Sequence, residues 1–186
     1  MSPQEHQRRV EQLAQALRGR ELDAIYVPAA NKLIGSIKRR IQRDGKSSSD
    51  NPIGSYSSKP AYYSKSRFVQ KGAFKPSGKK GPRQGAKTMY IPGGYKGLRA
   101  AQGRPTDKVN LTYSGDLMAS FKMVQGEHKI VIGLDSQKEA KKKEGLEKRY
   151  GKFLYGTRKE LLAYNNETKQ GLTKLTTDIL KGIRNV

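Results

Sequence analysis

Val109-Asn-Leu-Thr-Tyr-Ser-Gly-Asp-Leu-Met-Ala-Ser-Phe-Lys-Met-Val124, followed by Lys129-Ile-Val-Ile-Gly-Leu134, is the stretch of sequence that decides the fold. In its first part Val109, Leu111 and Tyr113 alternate with polar residues. Alternation with a period of two is typical of a strand that has one side in solvent. The sequence therefore predicts a strand over residues 109–113.

The small residues Ser114-Gly-Asp116 interrupt this predicted strand, because glycine adopts backbone angles that other residues resist and aspartate caps a following helix. The next apolar positions, up to Phe121, fit either one helical turn or the entry of a twisted strand. Gly126 predicts a turn, and Ile130-Val-Ile132 predicts a second strand because its residues strongly favour β-structure. The remaining chain reads as helices that cover this sheet or loops that extend from it.

Two helices are predicted before the sheet. Ser2-Pro-Gln-Glu5 combines an N-cap, a proline at the first helical position and a capping-box glutamate. A second amphipathic segment runs from about Leu22 to Arg43, with Pro28 as a kink or as its true beginning and Asp44-Gly45 as its end. Its expected buried stripe consists of Ala30, Leu33, Ile34, Ile37 and Ile41.

The C-terminal part also reads as helical. Residues 136–148 form a highly charged helix candidate, and Thr157-Arg-Lys-Glu160 is a capping box that opens another helix. A last apolar stripe runs to the C-terminus, interrupted upstream by Gly171, and consists of Leu172, Leu175, Ile179 and Ile183. We predict one α+β domain over residues 1–186, in which a small antiparallel sheet is packed by a long N-terminal helix and a C-terminal helix.

The chain is strongly basic, with 38 Lys and Arg against 16 Asp and Glu and a formal net charge of +22. Charge of this size repels itself, so we expect anionic neighbours, either nucleic acid or an acidic protein surface. There is no cysteine, which excludes disulfides, thiolate metal sites and thiol nucleophiles. No signal peptide or long apolar run is visible, so we expect a soluble protein that is used without export.

Residues 46–87 differ from the rest of the chain because Gly, Ser, Pro and basic residues recur without helical or strand periodicity. Such a stretch buries too little apolar surface to fold alone, and we interpret it as an extended basic arm or insertion. After it, Thr88-Met-Tyr-Ile91 predicts a short strand, and residues 95–102 predict a short helix that ends at Gly103.

Three interpretations of the arm stay open. Its cations and aromatic rings suit phosphate contacts and base stacking on a nucleic acid. They equally suit an arm that clasps a neighbouring subunit, and the segment is also compatible with disorder. The candidate DNA or subunit contacts are Lys59, Lys65, Arg67, Lys71, Lys75, Lys79, Lys80, Arg83, Lys87, Tyr62, Tyr63 and Phe68.

Sequence motifs give no support for catalysis. Residues 72–80 approach a phosphate-binding loop but have one residue too many and no hydroxyl after the lysine, and residues 81–88 have Lys-Thr without the adjacent Gly-Lys. Neither follows a predicted strand. The two histidines, His6 and His128, are expected on the surface, and neither a zinc-protease helix motif nor a nucleophile elbow is present. The run Lys141-Lys-Lys143 is interpreted as a solvated helix face. We therefore predict no enzyme, no catalytic or metal-binding residue and no cofactor.

Leu111-Thr-Tyr-Ser-Gly-Asp-Leu-Met-Ala-Ser120 resembles the T-G-x-L-x-x-S signature of phage tail completion, or virion morphogenesis, proteins, with Ser114 in place of the usual threonine. Ile130-Val-Ile-Gly133 is similar to the glycine-ended strand that follows it in that family. The resemblance covers about residues 88–165 and leaves the arm without a counterpart. Its signature residues here are Leu111, Ser114, Gly115, Leu117, Ser120, Ile130, Ile132 and Gly133.

The resemblance implies a small α+β fold that assembles as a ring in the neck or tail of the virion, after synthesis in the host cytoplasm. It implies no catalysis. The expected partners are other copies of the chain, neighbouring neck, connector or tail proteins, and double-stranded DNA in the channel, without a membrane. The alternative hypothesis is a basic nucleic-acid-binding protein, either ribosome-associated or involved in DNA packaging.

Overall fold

A computed structural model describes residues 2–64, 88–112, 114–126 and 129–182 of the chain. Within these ranges it has six α-helices and two antiparallel two-stranded sheets, so the fold is α+β as predicted. The four strands form the separate sheets β1–β2 and β3–β4, whereas one sheet was predicted. In chain order the elements are α1 (Pro3–Ala16), α2 (Glu21–Arg39), a π-helical turn (Arg40–Asp44), β1 (Ala61–Ser64), β2 (Thr88–Ile91), α3 (Gly94–Ala101), α4 (Asp116–Ser120), β3 (Phe121–Gly126), β4 (Lys129–Leu134), α5 (Gln137–Tyr150) and α6 (Arg158–Leu180).

Helix α2 is the element around which the molecule packs, since it contacts α6 as well as β3 and β4. Its predicted apolar stripe is buried, including Ile41 in the π-helical turn. The helix runs through Pro28, which is exposed, while the adjacent Ala29 and Ala30 are almost completely buried. Packing of the two residues that follow the missing N–H therefore helps to maintain the helix. Gly45 ends the turn as predicted, with a φ of +64° that favours glycine.

The hairpin β3–β4 follows the deciding stretch of sequence closely. Helix α4 leads directly into β3, so the apolar run contains one helical turn and then a strand. The predicted second strand is confirmed as β4, and Phe121 lies opposite Leu134 while Met123 lies opposite Ile132. These four side chains contribute to the main core, which places one face of the hairpin against the interior.

The predicted strand over residues 109–113 is wrong. Residues 109–112 lie outside every strand, and Tyr113 lies outside the described residues. The side-chain oxygen of Asn110 accepts a hydrogen bond from the Thr112 N–H at 3.1 Å, and Leu111 has a φ of +51°. A local side-chain bond to the backbone competes with strand pairing, so the segment forms a turn although its pattern alternates.

The beginning of the basic segment belongs to the folded core. Ile53 and Tyr56, which fall in the predicted arm, are buried in the main core. Strand β1 pairs with β2, with Ala61 opposite Ile91, and α3 packs on this sheet. The short strand and helix predicted after residue 87 are confirmed as β2 and α3. Residues 65–87 lie outside the described residues.

Helix α6 is continuous for 23 residues, so Gly171 does not interrupt it. A Cβ atom at Gly171 would lie 2.6 Å from Cγ2 of Ile25, which shows that glycine allows α2 and α6 to approach closely. Helix α6 packs on α2 and α1, and a small second core of Ala16, Leu175 and Ile179 seals the contact with α1. Its predicted capping box at Thr157 is confirmed.

Candidate functional site: the 109–116 loop and the hairpin

The loop at residues 109–116 is organised by the side chain of Asn110. Its Oδ1 accepts hydrogen bonds from the Tyr56 hydroxyl at 3.0 Å, from Arg99 Nη2 at 3.1 Å and from the Thr112 N–H at 3.1 Å. The Tyr56 hydroxyl in turn accepts the backbone N–H of Asn110 at 3.1 Å. These bonds attach the loop both to the chain before β1 and to α3.

Arg99 is the buried cation of this network, with only 2% of its surface exposed. Its Nε donates to the carbonyl of Pro105 at 3.1 Å, and Nη1 donates to the carbonyl of Thr112 at 2.8 Å. The guanidinium also lies over the Tyr56 ring, 4.4 Å from the centroid. A planar guanidinium matches such divergent acceptors better than an ammonium group, so Arg99 fixes the loop as a rigid connector.

Tyr56 remains protonated within the network. Desolvation by burial raises the pKa of Tyr56 above its ordinary value of 10.0, and it outweighs the lowering by the hydrogen bond of Asn110 and by the charge of Arg99. A neutral hydroxyl both donates and accepts a hydrogen bond, as its two bonds to Asn110 require.

Leu111 has backbone strain, because its left-handed conformation costs a bulky residue about 1–2 kcal/mol. Strain of this kind persists only where the surroundings enforce it, and it is concentrated at functional positions. Leu111 lines a cavity of about 480 Å³ between the loop, α3 and α5, together with Tyr95, Leu146 and Tyr150. The loop is therefore a strained, well-anchored wall of a mostly aromatic and apolar cavity.

The polar side chains that line this cavity bond to one another and so stabilise the shape of its wall. Lys142 Nζ donates to Oε1 of the buried Glu139 at 2.6 Å, and the Ser114 hydroxyl donates to the Asp116 carboxylate at 2.7 Å. His6, the one histidine in the described part of the chain, is exposed on α1. Around the cavity, the described residues provide no hydroxyl paired with a histidine, and no described group of three His, Cys, Asp or Glu is placed to bind a metal ion.

The predicted signature residues lie at two places on the main core. Gly115 is the N-cap of α4 with a φ of +92°, a conformation that favours glycine. Ser114 is exposed, whereas Leu117 and Ser120 are buried and the Ser120 hydroxyl donates to the Leu117 carbonyl at 3.0 Å. Leu111 lies in the loop before α4. The remaining signature residues lie on β4 and are Ile130, Ile132 and Gly133. The two parts of the signature meet in the main core, where Leu117 is buried and Ile132 packs against the same cluster.

The outer face of the hairpin has an exposed apolar pair. Val124 and Val131 lie opposite each other in the register and are 46% and 49% exposed. Within the described residues, neither β3 nor β4 has a further strand on its outer edge. Lys122, on the same face, forms an ion pair with Asp135 at 2.5 Å. The hairpin therefore offers both an apolar face and unpaired strand edges.

Three of the candidate arm contacts lie within the described residues. Lys59 is exposed. Tyr62 and Tyr63 are half-buried in β1, where the Tyr62 ring packs 5.2 Å from that of Tyr90 and the Tyr63 ring packs 6.2 Å from that of Tyr95. Their rings are thus partly used within the fold. The others, Lys65, Arg67, Phe68, Lys71, Lys75, Lys79, Lys80, Arg83 and Lys87, lie outside the described residues, as does His128.

Sequence reasoning missed the network residues Tyr56, Arg99 and Asn110. Their partners are distant in the chain, and hydrophobic periodicity does not mark polar residues that are buried by hydrogen bonding. One signal was present at Asn110, since asparagine often bonds the backbone two residues later and so favours a turn over a strand.

Comparison with protein-family models, curated proteins and solved structures found no match to this chain. None of the helices in the described ranges combines the length and hydropathy needed to cross a membrane. The function is therefore argued from the surfaces of the molecule itself.

Proposed function

We propose that this protein is a structural virion protein of a tailed bacteriophage, a ring-forming tail completion or neck component at the head–tail interface through which DNA passes. The observation that carries the proposal is a pair of exposed apolar patches. One is Val124 and Val131 on the outer hairpin face, and the other is Leu161 and Leu162 at the start of α6, which are 44% and 58% exposed. Adjacent exposed apolar side chains favour association with another protein surface.

The two patches favour a ring over a symmetric dimer because they lie on different elements. One is on the hairpin and the other on α6, and both elements pack on α2. When two different patches of one chain meet, the contact is head-to-tail, and repetition of that contact closes a ring when the rotation permits. The open edges of β3 and β4 give a neighbouring subunit further hydrogen-bonding groups.

The charge of the chain supports the same assembly. A net charge of +22 opposes association of copies unless anions lie close to them. Double-stranded DNA inside a ring would place its phosphates close to the basic subunits. The resemblance of residues 111–120 to the tail completion signature is the reason for proposing a virion protein. The proposed role involves no catalysis.

Light scattering on the nuclease-treated full-length protein, in about 0.5 M salt to screen bound nucleic acid, tests the ring. We expect one discrete species at a multiple of 20.8 kDa. The double variant Val124→Asn/Val131→Asn should be a folded monomer.

The matched control is Val10→Asn, because Val10 on α1 is 47% exposed and lies away from both patches. It should keep the mass of the wild-type species. A hairpin variant that keeps the full oligomer mass, or a wild-type protein that stays monomeric at high concentration, would contradict the ring.

A further inference from the structure

Helix α5 has a basic stripe on its solvent side. At 100° per residue, its exposed cations fall within an arc of about 120° and extend over roughly 16 Å of helix. The face next to the Lys142 edge of this arc packs inward through Leu146 and Tyr150, and Lys138 and Lys142 line the cavity there. We define the stripe by its cations, which are Lys138, Lys141, Lys142, Lys148 and Arg149.

The acidic residues of α5 neutralise little of the stripe. The helix has six basic and three acidic residues. Glu139 is buried and pairs with Lys142, and Glu147 is half-buried and pairs with Lys143 at 3.4 Å. The other four cations of the stripe have no ion pair with a described residue, and the exposed Glu144 projects outside the arc. The stripe therefore presents net positive charge along one line.

Gly145 divides the stripe into two clusters. It is exposed, and a Cβ atom there would meet nothing within 4 Å, so packing does not explain a glycine that costs a helix about 0.5–1 kcal/mol relative to alanine. The centres of the clusters 138–142 and 148–149 are about 12 Å apart along the helix. This separation is similar to the roughly 12 Å width of the major groove of B-form DNA.

Lys143 lies outside the stripe, about 100° beyond its Lys142 edge, and contacts Tyr155 in the segment after the helix. Tyr155 is 46% exposed, and Lys143 Nζ and Lys152 Nζ lie 4.9 Å and 5.6 Å from the centroid of its ring. Lys143 Nζ also donates to the Tyr155 hydroxyl at 3.1 Å. Burial lowers the pKa of Lys143, but the bonds to Tyr155 and Glu147 outweigh it and the net shift is upward. Lys143 therefore stays charged at neutral pH.

We infer that the stripe on α5 binds the phosphate backbone of double-stranded nucleic acid, with α5 crossing a groove, its two cation clusters on opposite phosphate ridges and Gly145 over the groove. This inference rests on the proposed function in one respect, because the DNA that passes through the ring is the expected duplex. The stripe lacks the apolar side chains with which a helix enters a membrane surface. It is also rich in lysine, which is depleted in protein–protein interfaces.

Fluorescence anisotropy with a labelled 20-base-pair duplex, over a series of salt concentrations, measures this contact on the full-length protein. The test variant replaces the four cations without an ion pair by glutamine: Lys138→Gln, Lys141→Gln, Lys148→Gln and Arg149→Gln. The slope of log K against log salt is about −0.9 for each phosphate contact, so the slope of this variant should be less negative by about 3 to 4. Affinity near 0.1 M salt should fall by at least about 100-fold.

The control variant removes the same charge from exposed lysines of α6 and its C-terminus, namely Lys159, Lys169, Lys174 and Lys181. It should bind within about fivefold of the wild type. Equal losses in both variants, or a wild type that binds polyglutamate as tightly as the duplex, would overturn the inference. Glutamine favours helix, and circular dichroism verifies that both variants are folded.

The outcomes separate this inference from the ring. A monomeric wild type that binds the duplex through the stripe would refute the ring and support the inference. A ring-forming protein whose stripe variant binds the duplex as tightly as the wild type would refute the inference alone.

Discussion

Replacement of Arg40 by methionine tests how the chain between α5 and α6 is attached to α2. Arg40 is 6% exposed, and its Nε donates to the carboxylate oxygens of Glu160 at 3.0 and 3.2 Å. Its terminal nitrogens donate to three backbone carbonyls, at 2.9, 3.2 and 2.7 Å, which belong to Lys46, Phe153 and Tyr155. A single side chain thus connects three segments of the chain.

Methionine preserves much of the volume of Arg40 but donates no hydrogen bond. Glu160 would keep its bond from the Thr157 N–H, at 2.7 Å, and would lose its cation. Removal of one partner from a buried ion pair costs about 3–5 kcal/mol, because the other charge is left buried without compensation. Since three carbonyls lose their donors as well, we expect Arg40→Met to lower the free energy of unfolding by about 4 kcal/mol.

The assay is urea unfolding followed by circular dichroism, at one fixed protein concentration because association with other copies also stabilises the fold. The control is Lys32→Met, since Lys32 pairs with Glu167 at 2.5 Å but its side chain is 71% exposed. Exposed pairs contribute about 0–1 kcal/mol.

A double-mutant cycle of Arg40→Met with Glu160→Gln should give a coupling energy of at least about 1 kcal/mol. If Arg40→Met costs no more than Lys32→Met, Arg40 does not have the structural role described here.

Two further predictions concern close packing and pH. Gly171→Ala should lower the free energy of unfolding by about 1–3 kcal/mol, because its Cβ would lie 2.6 Å from Cγ2 of Ile25. Gly35→Ala, with nothing within 4 Å of its Cβ, should raise the free energy of unfolding by about 0.5–1 kcal/mol. Urea unfolding measures both, and equal effects would contradict the close approach of α2 and α6. Because burial raises the pKa of Tyr56 above 10.0, the stability contributed by its protonated hydroxyl is complete below that pH and is lost as pH rises toward the higher folded pKa. The free energy of unfolding of Tyr56→Phe should therefore decrease less with pH than that of the wild type above about pH 10. Parallel pH profiles would refute the raised pKa of Tyr56.

The parts of the fold predicted correctly depend on short-range patterns. The buried stripe of α2, the strand β4 and the capping box at Thr157 are each set by residues within a few positions of one another. Helical spacing and cap chemistry act over that range, so the sequence alone identifies them.

The differences come from contacts between distant residues. The alternation at residues 109–113 is the same in a strand and in this loop, and the bonds from Tyr56 and Arg99 to Asn110 decide between them. In the sequence, Gly171 suggests an interruption of the helix, whereas in the structure it makes room for Ile25 of α2. In both cases the deciding partner belongs to another element of the fold.

Arg40 shows that one such contact left a signal in the sequence. It lies three residues after Ile37 and directly before Ile41, so it belongs to the buried stripe of α2 and its continuation. The predicted buried stripe of the second segment contained only apolar residues and left Arg40 out. An arginine on a buried stripe predicts an acidic or carbonyl partner, although Glu160 lies 120 positions away and no spacing rule identifies it.

Quantitative mass spectrometry of phage particles purified from the source of this sequence tests the proposed virion role. We expect the protein to be present at a small fixed copy number per particle, equal to the number of subunits in the ring measured by light scattering. Absence from purified particles, with the protein abundant in the infected-cell extract, would contradict the claim that it is a virion component.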